Sequence, residues 1–207
     1  TCPRIAVLGS AGACGGRTTA PVVPSALRSS GVTAGLVGTG QARVSQGASH
    51  GVARDAGPAQ CVAGARGAAV GGACEAEHPD VIIIEGQGAL SHPTYLSSTA
   101  ILRGSRPEAV ILQHAPGRTS ISDFPAFPMP TPASEITLIE TFSDTRVIGL
   151  TINHENMTDS EVSAAITLYE AELAIPATDA LSRPVDLLVD MVFAAFPDLR
   201  PTAVSAR

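Results

Sequence analysis

The residues from Gly9 to Thr19, Gly-Ser-Ala-Gly-Ala-Cys-Gly-Gly-Arg-Thr-Thr, follow the short apolar run Ile5–Leu8 and are the first that could do chemistry. A phosphate-binding loop needs backbone N–H groups free to converge on anionic oxygens, a lysine for the terminal phosphates, and a Ser or Thr hydroxyl for magnesium. Gly9, Gly12, Gly15 and Gly16 supply the backbone freedom, and Arg17, Thr18 and Thr19 supply the polar side chains. Gly16 stands where the lysine would be, so an anion nest is expected without its strongest phosphate contact. The alternative is a glycine-rich strand-to-helix turn that binds nothing.

A second cluster is Asp80-Val-Ile-Ile-Ile-Glu85-Gly-Gln-Gly88. A carboxylate ending a buried strand opposite such a loop can hold a magnesium-bound water or take a proton as a general base. Thr18 and Glu85 are therefore the expected metal contacts, but only if a magnesium nucleotide binds. The glycines at 86 and 88 are expected to let a ligand approach the backbone. A third group, His92, His114, Arg118 and His154, lies just past predicted strands. Arg118 can clamp a carboxylate or phosphate bidentately, and a histidine can move a proton near neutral pH. Three histidines on one edge could instead bind a metal, although their spacing is uninformative. Asn153, Glu155 and Asn156 could fix an adenine or a substrate amide, or simply turn the chain ahead of the next helix.

The elements that must position these groups follow from apolar patterning. Arg4–Leu8 reads as a strand, followed by the glycine loop and a helix to about Ser30 that stops at Gly31. Pro21 fits the first turn of that helix. Pro24 removes an interior N–H and costs about 3 kcal/mol, so a kink is expected there. Val32–Val37 is a second strand, closed by Gly38-Thr-Gly40. Residues 41–66 have no clean period and read as a functional loop running into a short helix near 60–76. Residues 79–84 form the strongest strand, continuously apolar as a central parallel strand should be. Ala109–Leu112 is another buried strand. The proline-rich residues 122–132 read as an extended crossing segment, and Ser134–Phe142 as a helix capped by Ser134. Arg146–Ile152 is a strand. Thr158-Asp-Ser-Glu161 has the form of a capping box, opening a helix to about Leu173. A short strand begins at Ile175, and Pro184–Phe196 is the last helix.

Strands alternating with helices give an α/β fold: a doubly wound, mainly parallel sheet with helices on both faces. Ligands of such sheets bind beyond the carboxyl ends of the strands. That rule gathers Gly9–Thr19, Gly38–Gln41, Glu85–His92, Gln113–Arg118 and Asn153–Asn156 along one edge.

Composition narrows the function classes. The 207 residues, 44% hydrophobic and 15% charged, can fill one core, and a single α/β domain over 1–207 is expected. The 20 glycines and 16 prolines imply many loops. All 13 basic residues are arginine, against 19 acidic ones, for a net charge of −6. That balance gives no footprint for nucleic acid or an anionic membrane, so neither is expected as a partner. No apolar run approaches the ~18 residues of a membrane span, and no secretion leader is visible, so a cytoplasmic protein is expected. Cys2, Cys14, Cys61 and Cys74 match neither a zinc knuckle nor a disulfide framework and read as reduced thiols.

Four stretches carry a resemblance to a known family: Ile84-Glu-Gly-Gln-Gly-Ala-Leu-Ser-His-Pro93, Ile111-Leu-Gln-His-Ala-Pro-Gly-Arg118, Phe127-Pro-Met-Pro130 and Ile152-Asn-His-Glu-Asn-Met-Thr-Asp159. Through them the chain resembles the C-terminal P-loop-type domain of a bacterial family of unknown function whose characterised branch is D-glutamate N-acetyltransferase. The first loop departs from the family pattern, with Gly16 at its lysine and Ala11 at its acidic residue. The family's N-terminal Rossmann-like domain is not expected in this chain. The resemblance implies a P-loop NTPase-like fold and acetylation of the D-glutamate amino group, or that of a similar amino acid, from acetyl-CoA. Gly9, Gly12, Gly15, Gly16, Arg17, Thr18, Thr19 and Asn153 would then hold the cofactor. Glu85, His92, Arg118 and His114 would serve catalysis, with Glu85 or His92 taking the ammonium proton and Arg118 gripping a substrate carboxylate. The loop is also similar to that of dethiobiotin synthetase, so an ATP- and Mg2+-dependent kinase or ligase is the second expectation. A non-catalytic nucleotide- or CoA-binding module is the third. A homo-oligomer is expected in each case.

Overall fold

The computed structural model describes residues 2–39, 50–52, 61–121 and 124–201. Its centre is three strands, β1 (Arg4–Gly9), β4 (Val81–Glu85) and β5 (Ala109–His114), which are apolar along nearly their whole length because helices cover both faces. With β2 (Ala34–Thr39), β3 (His50–Val52), β8 (Arg146–Ile152) and β9 (Ala177–Thr178) they form a seven-stranded sheet. Its order is β3-β2-β4-β1-β5-β8-β9, with every described pair parallel. The doubly wound α/β expectation is met.

Side-chain alternation sends Ile5, Val7, Val81 and Ile83 to one face, where α1 (Gly16–Ser29) and α6 (Asp186–Ala195) bury Val23, Leu27, Leu188 and Val192 against them. Leu8, Ile82, Ile84 and Leu112 face the other way, toward α2 (Val62–Glu77), α3 (Ser97–Ser105), α4 (Pro132–Phe142) and α5 (Asp159–Leu173). Each fully buried Ile or Leu contributes roughly 1.5–3 kcal/mol, which is what holds the sheet rigid beneath the loops.

Several expectations change. Helix α1 keeps its helical assignment through both Pro21 and Pro24, with Pro24 buried, so tertiary packing outweighs the lost N–H. Helix α3 and strand β3 were not expected; α3 is short, and its Ser, Thr and Gly residues hide the period. Part of the proline-rich stretch is an antiparallel ribbon, β6 (Ser120–Ile121) with β7 (Phe124–Pro128), rather than a simple crossing segment. Helix α4 starts two residues early: Thr131, not Ser134, is the cap, and Pro132 takes the first helical position. The reading of residues 41–66 as a functional loop falls mostly outside the described residues, as do Gly40 and Gln41. The capping box at Thr158 forms as expected: Thr158 N–H donates to Glu161 Oε2 at 2.7 Å, and Thr158 Oγ1 accepts from Glu161 N–H at 3.4 Å.

Register sets the strand ends flush. Val7 lies opposite Glu85 and Ile111, Gly9 opposite Gln113, and Gln113 opposite Thr151. The polar clusters therefore leave the sheet along one edge.

Candidate functional site

Beyond the carboxyl ends of β1 and β4 lies a cleft of about 440 Å³. Its walls include Gly9, Gly12, Gly15, Gly16, Arg17 and Thr18 from the glycine loop and Gly86, Gln87, Gly88, His92 and Tyr95 from the segment after β4. The loop's backbone alternates in hand, with Ala13 at φ 54° and Gly15 at φ 102°. Such alternation lines up successive N–H groups into an anion-binding concavity. At Ala13 the left-handed conformation costs roughly 1–2 kcal/mol, so its surroundings must hold it there. Gly15 is the N-cap of α1 and offers no side chain, and the first turn carries no acidic residue, so a positive helix end opens on the cleft.

The glycines after β4, which line the cleft, also pack closely against the protein's own backbone. A Cβ on Gly86 would sit 2.2 Å from Val7 O, and one on Gly88 2.7 Å from Gly12 N. Their close approach is to β1 and the glycine loop, so these two glycines clamp the two sides of the cleft together.

Glu85 is buried at the end of β4, directly before Gly86. His92 is also buried; its Nδ1 accepts from Thr94 N–H and Tyr95 N–H, each at 3.1 Å, and its ring stacks on Tyr95 with centroids 4.4 Å apart. With Nδ1 accepting, the proton of the neutral ring is assigned to Nε2. His114 lies outside the cleft wall, 5% exposed, with Nδ1 2.7 Å from Ser10 Oγ and its ring edge-on to Tyr169. Burial pushes its pKa down to about 4, leaving it neutral near pH 7.

Thr19 turns inward and donates to Gln113 Oε1, which also accepts from Thr151 Oγ1 at 2.8 Å. Gln113 then packs beneath Gly15, where a Cβ would meet Gln113 Nε2 at 3.2 Å. Asn153 accepts from Glu155 N–H at 3.1 Å and lies behind the loop, with Nδ2 3.8 Å from that same Cβ position. Arg118 donates to Gly12 O at 2.9 Å and Ala13 O at 3.1 Å, and pairs with Glu155. His154 Nδ1 lies 2.5 Å from the buried carboxylate of Asp179, which is held low in pKa, against its burial, by hydrogen bonds from Leu181 N–H and Ser182 N–H and by His154. Among the described residues, no three His, Cys, Asp or Glu side chains gather as a metal site.

Three supporting residues carry no motif in the sequence. Glu135 of α4, 1% exposed, accepts from Leu90 N–H at 2.8 Å and from Ser91 Oγ, fixing the segment before His92. Burial pushes its carboxyl up, against those hydrogen bonds. Ser10 and Ser98 anchor the loop and the Gly88 carbonyl, the latter at 2.5 Å. Only the helical phase of Glu135, among Pro132 and Ile139 on the buried stripe, hinted at its role.

Residues 1–189 match the family model described as a domain of unknown function, DUF1611, C-terminal P-loop domain. The chain belongs to this family. A crystal structure of a DUF1611 family protein from Anabaena variabilis superposes with a TM-score of 0.84 at 29% identity, covering 93% of this chain and 57% of that one. Two curated relatives are each named D-glutamate N-acetyltransferase. The one from Tritonibacter scottomollicae is 30% identical over 118 residues, 54% of this chain and 35% of its own length. The one from a Pseudoalteromonas species is 30% identical over 131 residues, 58% of this chain and 40% of its own. The matched stretches of this DUF1611 chain thus span well under half the length of those relatives. Cobyrinic acid a,c-diamide synthase from Mycobacterium smegmatis, solved with an ATP analog and magnesium, shares the fold at a TM-score of 0.57 and 15% identity. No described helix is long and apolar enough to cross a membrane.

Proposed function

We propose that this chain is the P-loop-type part of an N-acetyltransferase that moves the acetyl group of acetyl-CoA to the amino group of D-glutamate or a similar amino acid. The observation that carries the reading is the shared name of the two relatives matching over half of this chain. The loop supports it: with glycine at position 16 it offers backbone N–H groups and Arg17, suited to the phosphates of CoA, and no lysine for a triphosphate.

The reaction needs a neutral amine and a polarised thioester. Glu85 takes a proton from the ammonium group, and the freed nitrogen attacks the acetyl carbonyl carbon. His92, a donor at Nε2 in the assigned tautomer, steadies the oxyanion as the C–O double bond opens. The oxyanion collapses and the C–S bond breaks; the thiolate of CoA takes up the second proton that the new amide nitrogen loses, and Glu85 returns its proton to solvent. No covalent enzyme intermediate is required.

The ATP-dependent reading draws on the shared fold with the diamide synthase, in which Thr18 and Glu85 would hold magnesium against nucleotide phosphates. One experiment separates the readings. Full-length protein is incubated with D-glutamate and either acetyl-CoA or magnesium-ATP, and products are read by mass spectrometry. N-acetylglutamate from acetyl-CoA alone is the expected result, and ADP or AMP release dependent on the amino acid overturns it. Glu85→Gln is expected to lower kcat by about 10²–10⁴. Ligand binding without turnover in the wild type, unaltered in Glu85→Gln, would favour a binding module.

A further inference from the structure

Arg118 lies partly covered against the glycine loop in a way that acyl transfer itself does not use. Its Nη1 donates to Gly12 O at 2.9 Å, its Nη2 to Ala13 O at 3.1 Å, and its Nε to Glu155 Oε2 at 3.1 Å. We propose that Arg118, aimed by Glu155, is a positioning residue that holds the glycine loop open for a phosphate ligand from the loop's outer side. This rests on reading the loop as a phosphate site.

The argument starts from the peptide unit. In a trans peptide the C=O of one residue and the N–H of the next point in opposite directions. Drawing the Gly12 and Ala13 carbonyls outward to one guanidinium therefore turns the N–H groups of Ala13 and Cys14 the other way. Ala13 and Cys14 both line the cleft. Ala13 is the left-handed non-glycine residue of the loop, a conformation that needs an external hold, and Arg118 grips the carbonyls on both sides of its φ. The planar fork of arginine suits three acceptors at fixed angles, which an ammonium does not match.

Glu155 fixes that fork. It accepts from both Nε and Nη2. Its own turn is set by Asn153 Oδ1, by Asn156 at φ 59°, and by Gly117, where a Cβ would lie 2.6 Å from Glu155 O. Loop, arginine and the turn after β8 are one hydrogen-bonded unit. In a loop with no lysine to gather phosphates, backbone preorganisation carries more of the affinity, so loss of the brace is felt in phosphate binding and not in amino-acid binding.

The test measures equilibrium binding of acetyl-CoA and of magnesium-ADP to the full-length protein, with KM for each substrate and the unfolding midpoint alongside. Arg118→Ala is expected to weaken whichever phosphate ligand the wild type takes by about tenfold or more, leaving KM for D-glutamate unchanged. Arg118→Lys should restore little of this. Glu155→Gln should bind nearly as wild type, since an amide oxygen still accepts from Nε, and Glu155→Ala should lose severalfold. Glu155 is half-exposed, so its variants fold and keep the test available if Arg118→Ala does not. A rise in KM for D-glutamate with phosphate binding intact overturns the proposal and returns Arg118 to the substrate carboxylate. Unchanged binding in Arg118→Ala also overturns it. A wild type that binds magnesium-ADP but not acetyl-CoA removes the acetyl-transfer reading while the brace is still measured, and one that binds neither removes both.

Discussion

At the scale of single residues, phosphate binding turns on the glycine loop. Gly16 lines the cleft as expected, and nothing lies within 4 Å of a Cβ built on it. Gly16→Lys should therefore fold normally and raise the affinity for magnesium-ATP by about tenfold, the worth of one charge-assisted contact. Calorimetry checks this, and an unchanged affinity would mean that the loop does not present terminal phosphates at that position. His114 was a candidate proton shuttle, and nothing in its spacing told that Ser10 and Tyr169 would enclose it. Its consequence belongs to stability. The ring titrates near 6.5 in the unfolded chain and near 4 in the fold, so the unfolded state takes the proton first. The stabilisation is complete above about pH 6.5 and declines as pH falls toward 4, by roughly 3 kcal/mol in all. Glu135 works the other way, its buried carboxyl favouring the protonated form, so the comparison must be between variants. Urea unfolding of wild type and His114→Gln between pH 7 and 4 should show a shallower acid decline in the variant.

At the scale of elements, what is local could be read and what is tertiary could not. Thr158 and Glu161 sit three residues apart and cap α5 by themselves. Helix α3 has no such signature: its N-cap, Leu96, makes no side-chain cap bond, and the helix exists because Ile101 and Leu102 are buried under the sheet. It is also wedged against α2 through glycines. A Cβ on Gly104 would lie 2.1 Å from Ala63 O, and one on Gly67 2.9 Å from Gly104 O. Backbone cannot yield as a side-chain tip can, so Gly104→Ala should cost roughly 1–3 kcal/mol by forcing the two helices apart. Because α3 begins at Ser97, beside Tyr95 in the cleft wall, and Ser98 holds Gly88 O, the displacement reaches the site. Denaturant melts and KM should move together in this variant, and a loss of stability with an unaltered KM would show that the cleft wall is independent of the helix pair.

At the scale of the molecule, parallel strands and two helical layers followed from the alternation of apolar runs, whereas the strand order β3-β2-β4-β1-β5-β8-β9 depends on which β-α-β crossover goes left or right, a choice the patterning does not encode. That order makes β1 and β4 neighbours at the sheet centre, so the cleft is built from loops rooted in its most buried strands. A ligand that bridges both loops therefore stabilises the native state as a whole. At a hundred times its Kd it adds about 2.7 kcal/mol, and a domain of this size gains roughly 2–4 °C per kcal/mol, so saturating acetyl-CoA should raise the unfolding midpoint by about 5–10 °C. Acetyl-pantetheine, which carries the same thioester without the nucleotide phosphates, should raise it far less if the glycine loop holds those phosphates. Thermal unfolding of the full-length protein with each compound decides the point: equal shifts would place the affinity in the pantetheine arm and leave the loop, with its outward-turned carbonyls, without a phosphate to serve.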